Sequence, residues 1–205
     1  KIVNGLLNLA RPGKGDAAGP VDVNAVINDV LALLEHQFQT ANIRLRRELS
    51  STPTVVLGVE FKLQQVFLNL FLNARDAMST GGWLSITSRV EDTCAVIEVA
   101  DTGTGIVSED LPRIYDPFFT TKGGEGSGLG LAMVYDMVKL AGGEVKLGNG
   151  VRGACVTLRL PLRRPETQPT GGLALLVEDN PELRAQVREM LTGIGHSVIE
   201  ASSVE

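Results

Sequence analysis

Aromatic side chains are scarce in this sequence, at 4% of its 205 residues, and Trp83 is the single tryptophan. A core has to be built from aliphatic residues instead, which a hydrophobic fraction of 43% supplies in plenty. The length suits one domain with additions, or two small ones. Only two histidines occur, His36 and His196, and only two cysteines, Cys94 and Cys155. Both cysteines fall in strand-like runs, so each reads as a free buried thiol, not as half of a bridge or part of a metal site. That usage fits a reducing cytoplasm. The formal net charge of -5 provides no basic field, and no nucleic-acid partner is expected. No apolar run reaches the roughly eighteen residues of a membrane span, and the start has no secretory leader pattern. Beginning at Lys1 inside a helix-like piece, the chain reads as a fragment of a longer protein, which leaves an upstream membrane anchor open.

What is present centres on Leu63 to Met78, LQQVFLNLFLNARDAM. Leu63, Val66, Phe67, Leu70, Phe71, Ala74 and Ala77 recur at spacings of three and four and predict a helix with one face on the core. Gln65, Asn69, Asn73 and Asp76 form a second stripe, polar but almost uncharged. Two asparagines four apart can be a plain solvated face. Asparagine is a poor helix former, however, and its repetition beside Leu and Phe calls for a reason. A neutral amide oxygen can ligate a hard cation such as Mg²⁺ without the desolvation cost of a carboxylate, so the stripe also reads as a metal and phosphate platform.

Around this helix the chain divides readily. Residues 1–10 are a short apolar-periodic piece, and residues 11–20, rich in Gly and Pro, read as a linker. Asp22 can cap a helix running to about Thr40, with Val26, Ile27, Val30, Leu33 and Leu34 buried. Strands are predicted at Ile43–Leu49, Thr54–Leu57, Trp83–Val90, Cys94–Asp101, Glu144–Leu147 and Ala154–Leu160, and a further helix at Gly128–Leu140. This order gives a layered α/β sandwich, a mixed sheet with helices on one face. Residues 162–172 form a second polar linker, before an apolar run at Leu173–Val177, the acidic pair Glu178-Asp179, a helix to about Leu191 and a strand at Ser197–Glu200.

Four boxes carry chemistry: N-L-F-L-N-A at Asn69–Ala74, VADTGTGI at Val99–Ile106, DPFFTTK at Asp116–Lys122 and GEGSGLGL at Gly124–Leu131. Each alone is weak, since D-x-G-x-G is also a plain turn and G-x-G-x-G also marks flexibility. Together, in this order and spacing over roughly residues 21–161, they resemble the ATP-binding catalytic domain of sensor histidine kinases. That domain belongs to the GHKL superfamily with gyrase, Hsp90 and MutL. Pro-Phe-Phe-Thr-Thr-Lys and a short lid resemble the nitrogen-regulatory branch. Residues 173–205 resemble the opening of a response-regulator receiver domain.

The resemblance implies a Bergerat-type two-layer fold, followed by the first flavodoxin-like βαβ of a receiver. It implies ATP and Mg²⁺ as ligands, with Asn69, Asn73 and Lys122 as catalytic groups and Asn73, assisted by Asn69, as the metal ligand. Contacts to the nucleotide would come from Asn69, Asn73 and Asp76, then Asp101, Gly103, Gly105 and Ile106. Phe119, Thr120, Thr121 and Lys122 belong to the lid, and Gly126, Ser127, Gly128, Leu129 and Gly130 to the phosphate-binding turn. Asp101 would accept a hydrogen bond from the adenine amine, where guanine offers a carbonyl. Lys122 is a phosphate contact or a solvated charge, the first reading being favoured, and Phe118 and Phe119 are read as hinge packing. Asp179 and Glu178 would hold Mg²⁺ in the receiver.

Asn69 stands where the hydrolysing relatives carry Glu, and an amide cannot act as a general base at neutral pH. Transfer of the γ-phosphoryl to a protein histidine is therefore favoured over hydrolysis by a conformational machine, and a degenerate nucleotide-binding or docking module is the non-enzymatic alternative, raised by Ala154 and the lack of a phosphoacceptor histidine. Neither His36 nor His196 has the family's phosphoacceptor context, so residues 1–10 read as the end of a phosphotransfer helix whose histidine lies upstream. The implied partners are that phosphotransfer domain and a receiver or response regulator, in a homodimeric whole protein. One departure is Gly153-Ala154-Cys155, where the family usually has Gly-Thr and a hydroxyl supporting the adenine-binding aspartate.

Overall fold

A computed structural model describes residues 18–121, 127–163, 173–193 and 196–201. Two compact units divide at Arg163/Arg164.

In the first unit, the elements run β1 (Gly19–Asp22), α1 (Val23–Thr40), β2 (Ile43–Glu48), β3 (Val55–Gly58), α2 (Glu60–Ala77), β4 (Gly82–Glu91), β5 (Cys94–Asp101), α3 (Gly130–Leu140), β6 (Glu144–Asn149) and β7 (Ala154–Pro161). Five strands form one sheet in the order β2-β4-β5-β7-β6. The β2–β4 pair is parallel and the others antiparallel, so the sheet is mixed, as expected. β1 and β3 form a separate antiparallel pair. Residues 19 and 20, expected in a linker, are thus already strand. Pro20 is tolerated there because a two-stranded ribbon has an outer edge on each strand, where no N–H is needed.

The core lies between the sheet and the helices. Leu84, Ile86, Ile97, Leu158 and Leu160 from the sheet meet Ile27, Leu34 and Phe38 of α1, Phe67 and Phe71 of α2, and Val134 and Val138 of α3. The Phe67 and Phe71 rings stand 5.9 Å apart, one helical turn from each other. Asp22 caps α1 as expected: its Oδ1 accepts from the Asn24 N–H at 3.0 Å and from the Thr54 hydroxyl at 3.0 Å. The α1 stripe corrects one expectation. Leu33 is 46% exposed, and Leu31 is buried in its place. The buried run of Val23, Val26, Ile27, Val30, Leu31, Leu34 and Phe38 centres on one side of the helix, and position 33 falls at the margin of that face, beyond Val26. At the end of α2, Met78 is buried instead of Ala77.

On the sheet's outward side, Val96 has no exposure despite facing away from the helices. Its neighbours on either side are Arg89 and Arg159, whose stems flank it while their guanidinium groups bind Glu91 and Glu98.

The second unit is a small βαβ: β8 (Leu173–Val177) and β9 (Ser197–Ala201) pair in parallel, with α4 (Pro181–Gly193) between them. Asn180 caps α4 by accepting from the Glu182 and Leu183 N–H groups at 2.9 and 3.2 Å. Arg184 donates to the Glu178 carbonyl at 2.7 Å, and Arg184 and Arg188 pair with Glu200. None of its described residues is buried. Among the described residues, no helix is long and apolar enough to cross a membrane.

Candidate nucleotide-binding site

A cleft of about 490 Å³ opens along one side of α2. Asn69, Asn73 and Asp76 line it from α2, Thr104, Gly105 and Ile106 from the loop after β5, Phe119, Thr120 and Thr121 from before α3, and Ser127, Gly128 and Gly130 from the start of α3. The first sequence box contributes all of its predicted contacts, the third and fourth most of theirs, and the second only Gly105 and Ile106. Leu72, Arg75, Val107, Asp110, Ile114 and Leu131 line the same cleft. None of these is a predicted contact; Leu72, Arg75 and Leu131 come with the two helices, and Val107, Asp110 and Ile114 with the segment between β5 and α3.

The two asparagines meet α3 at its first residue. A β-carbon at Gly130 would stand 3.8 Å from the Asn73 amide nitrogen and 3.9 Å from the Asn69 amide oxygen. Asn69 Nδ2 donates to the Gly130 carbonyl at 3.4 Å, which fixes which way its amide points. The α3 N-terminus adds peptide N–H groups that no helical carbonyl uses, the ordinary setting for a phosphate. Gly128 is held at φ +66, and a β-carbon there would lie 2.3 Å from the Phe118 carbonyl carbon. Phe118 in turn sits at φ +68 and donates its N–H to the Gly128 carbonyl at 3.0 Å. A bulky residue in that region is strained. Its side chain is 74% exposed, so the expected hinge packing falls to Phe119 alone, whose ring lies under the Arg113 guanidinium at 4.6 Å.

Asp101 ends β5 and is only 7% exposed. Its Oδ1 accepts from the Gly103 N–H at 2.8 Å and the Ala154 N–H at 3.2 Å. Burial raises its pKa above the ordinary carboxylate value, and the two backbone donors oppose that rise without cancelling it. Asp101 and Gly103 do not themselves line the cleft, whereas Thr104 and Gly105, next in the chain, do. Gly103 is pressed against the end of α2, where a β-carbon would be 2.4 Å from the Ala77 carbonyl oxygen. Thr104 donates its N–H to the same carbonyl at 3.1 Å. Ala154 has no hydroxyl to offer the aspartate, and its contact with Asp101 is through its backbone N–H. Ile106 is gripped from the far side by Asn149, the last residue of β6. No motif pointed to Asn149; Asn-Gly at 149–150 reads only as a turn.

Ser127 Oγ accepts from the Leu129 N–H at 3.4 Å, and Leu129 lies outside the lining. Lys122 and Gly126 fall outside the described residues. Glu178 and Asp179 stand at the end of β8, and among the described residues no group of three or more His, Cys, Asp or Glu side chains could hold a metal ion. A second groove, of about 690 Å³, lies between Leu57, Leu63, Met137 and Leu140 and brings few polar groups together.

Residues 58–164 match the family of histidine kinase-, DNA gyrase B- and HSP90-like ATPases. The chain belongs to that family. Within it, the chain is similar to the sensor histidine kinase ZraS of Escherichia coli K12, 36% identical over 172 residues that make up 83% of this chain and 37% of ZraS. It therefore spans little more than a third of that relative. Among solved structures, the catalytic domain of histidine kinase ThkA has 29% identity and a TM-score of 0.66, covering 70% of this chain and 95% of that one. Full-length ShkA in complex with AMPPNP has 25% identity and a TM-score of 0.63, covering 99% of this chain and 45% of that one. The ATPase fold described above is thus that of histidine kinase catalytic domains, and ATP is the nucleotide the family implies.

Proposed function

We propose that the chain is the ATP- and Mg²⁺-binding core of a hybrid sensor histidine kinase, passing the γ-phosphoryl of ATP to a histidine outside these 205 residues. The observation that carries the reading is the meeting of Asn69 and Asn73 with Gly130 at the start of α3, on a cleft backed by a buried carboxylate. Asp101 accepts from the adenine amine, and Thr104, Gly105 and Ile106 form the wall beside the base. Ser127, Gly128 and the first amides of α3 orient the phosphates, with Lys122 as an added charge. Asn73 and Asn69 fit Mg²⁺ through neutral amide oxygens, since Mg²⁺ commonly takes its remaining ligands from phosphates and water. When bound, the ion neutralises phosphate charge.

Asn69 offers no base to activate water, which supports transfer over hydrolysis, with positioning and electrostatics supplying the catalysis. His36 lies on α1 and is not among the cleft residues. The small βαβ with Glu178 and Asp179 at the end of β8 supports the start of a receiver, in which that pair would hold Mg²⁺. The ShkA alignment extends over this part as well. The partners that follow are a phosphotransfer helix, a receiver or response regulator, and a second copy of the whole protein. A cytoplasmic position fits ATP use and the two free thiols. A longer chain including the upstream segment should label itself on histidine from γ-labelled ATP, while the 205-residue chain should not. Steady-state ATP turnover by the 205-residue chain at rates typical of enzymes would favour a hydrolysing machine instead.

A further inference from the structure

The middle of the loop from Asp101 to Ile106 is tied to its surroundings by the Thr102 N–H donating to the Trp83 carbonyl and the Thr104 N–H to the Ala77 carbonyl, and Gly105 within it sits at φ +70. Its two ends are held by one neighbouring turn. At the first end, Ala154 donates its N–H to Asp101 Oδ1. At the other, Asn149 Oδ1 accepts from the Ile106 N–H at 2.7 Å, and Asn149 Nδ2 donates to the Ile106 carbonyl at 2.7 Å. A single amide thus satisfies both backbone groups of one residue 43 positions away.

The turn joining β6 to β7 is closed by the Gly150 N–H donating to the Gly153 carbonyl at 3.0 Å. Its Gly153 sits so close to the loop that a β-carbon would lie 2.3 Å from the Asp101 carbonyl oxygen. A β-carbon on Gly105 would in turn meet Asn149 Oδ1 at 2.9 Å. Turn and loop are therefore fitted to each other at Asp101, Gly105 and Ile106. Asn149 does not line the cleft, whereas Thr104, Gly105 and Ile106 do.

We propose that Asn149 is a positioning residue for nucleotide binding: by clamping Ile106 it fixes the wall of the cleft on the base side. The inference rests on the nucleotide reading of the cleft. The chemistry selects an amide of this length. Aspartate at neutral pH accepts but cannot donate, serine cannot span both groups, and glutamine is one methylene too long.

Calorimetric titration of the 205-residue chain with ADP and with ATP, Mg²⁺ present, tests this. Asn149→Ala should weaken both nucleotides alike, by about tenfold, because the clamp acts at the end of the ligand they share. Asn149→Asp should be weak at neutral pH and recover towards wild type as the pH falls, each value taken relative to wild type at the same pH, because a protonated carboxyl regains the donor. A purely structural role would not give that pH-dependent rescue, and the Asp variant decides the matter if Asn149→Ala fails to unfold cooperatively. Binding by Asn149→Ala indistinguishable from wild type overturns the proposal, as does loss confined to ATP, or an Asp variant that follows the wild-type pH profile. If the wild-type chain binds neither nucleotide, the reading of the cleft itself fails and takes this inference with it.

Discussion

Asp101 carries a conflict between stability and recognition. Its carboxylate is buried, and burial raises its pKa even though two backbone N–H groups reach it. With the folded value above the unfolded one, the contribution to stability is fully present below the unfolded pKa and is lost as the pH rises through the folded value. At neutral pH the charge is thus a cost to folding, accepted for its ability to receive a hydrogen bond. The amide introduced by Asp101→Asn would keep an oxygen for the Gly103 and Ala154 donors. That substitution should therefore leave the thermal midpoint of the nucleotide-free chain at neutral pH unchanged or raise it by up to about 3 °C. The difference from wild type should shrink as the pH is lowered towards about 4, the ordinary carboxylate range. A fall in the midpoint at neutral pH would contradict this assignment of the aspartate. Nucleotide binding should weaken in acid sooner than an ordinary carboxylate titrating near about pH 4 would allow.

At the scale of elements, the apolar period and the turn chemistry make α1, β4, β5 and β7 legible to within a residue or two, and α2 to within three at its start. Leu33 is misplaced on sequence alone because several leucines crowd one stretch, and only packing decides between Leu31 and Leu33. Residues 19–20 are lost to Gly and Pro, whose turn signal outweighs pairing with a distant strand. Asn69 and Asn73 are legible because asparagine is costly in mid-helix. Asn149 is not, because its partner lies far away in sequence and Asn-Gly already has a local explanation. The glycines near the cleft and the sheet divide in the same way. Gly128 has positive φ and no room for a β-carbon beside Phe118, whereas Gly148 in β6 has nothing within 4 Å. Gly128→Ala should lower ATP affinity by at least about tenfold. Gly148→Ala should leave affinity and midpoint unchanged, and equal behaviour of the two variants would show that the Gly128 conformation does not shape the cleft.

For the molecule as a whole, the core and every described cleft residue lie in the first unit, and the described residues of the second include no buried one. A chain ending at Arg163 should keep its unfolding midpoint within about 2 °C and its ATP affinity within about twofold, as expected for a domain with its own core. A large loss of either would mean that residues 164–205 contribute to the first unit. The central claim is that a buried carboxylate reads adenine while two helix amides face its Mg²⁺-bound phosphates. Calorimetric titration of wild type, Asp101→Asn and Asn73→Ala with ATP and with GTP, with and without Mg²⁺, tests it most directly. Wild type should prefer ATP by about a hundredfold or more, Asp101→Asn should lose that preference, and Asn73→Ala should lose the Mg²⁺ dependence. ATP binding by Asp101→Asn as tight as that of wild type would contradict the claim.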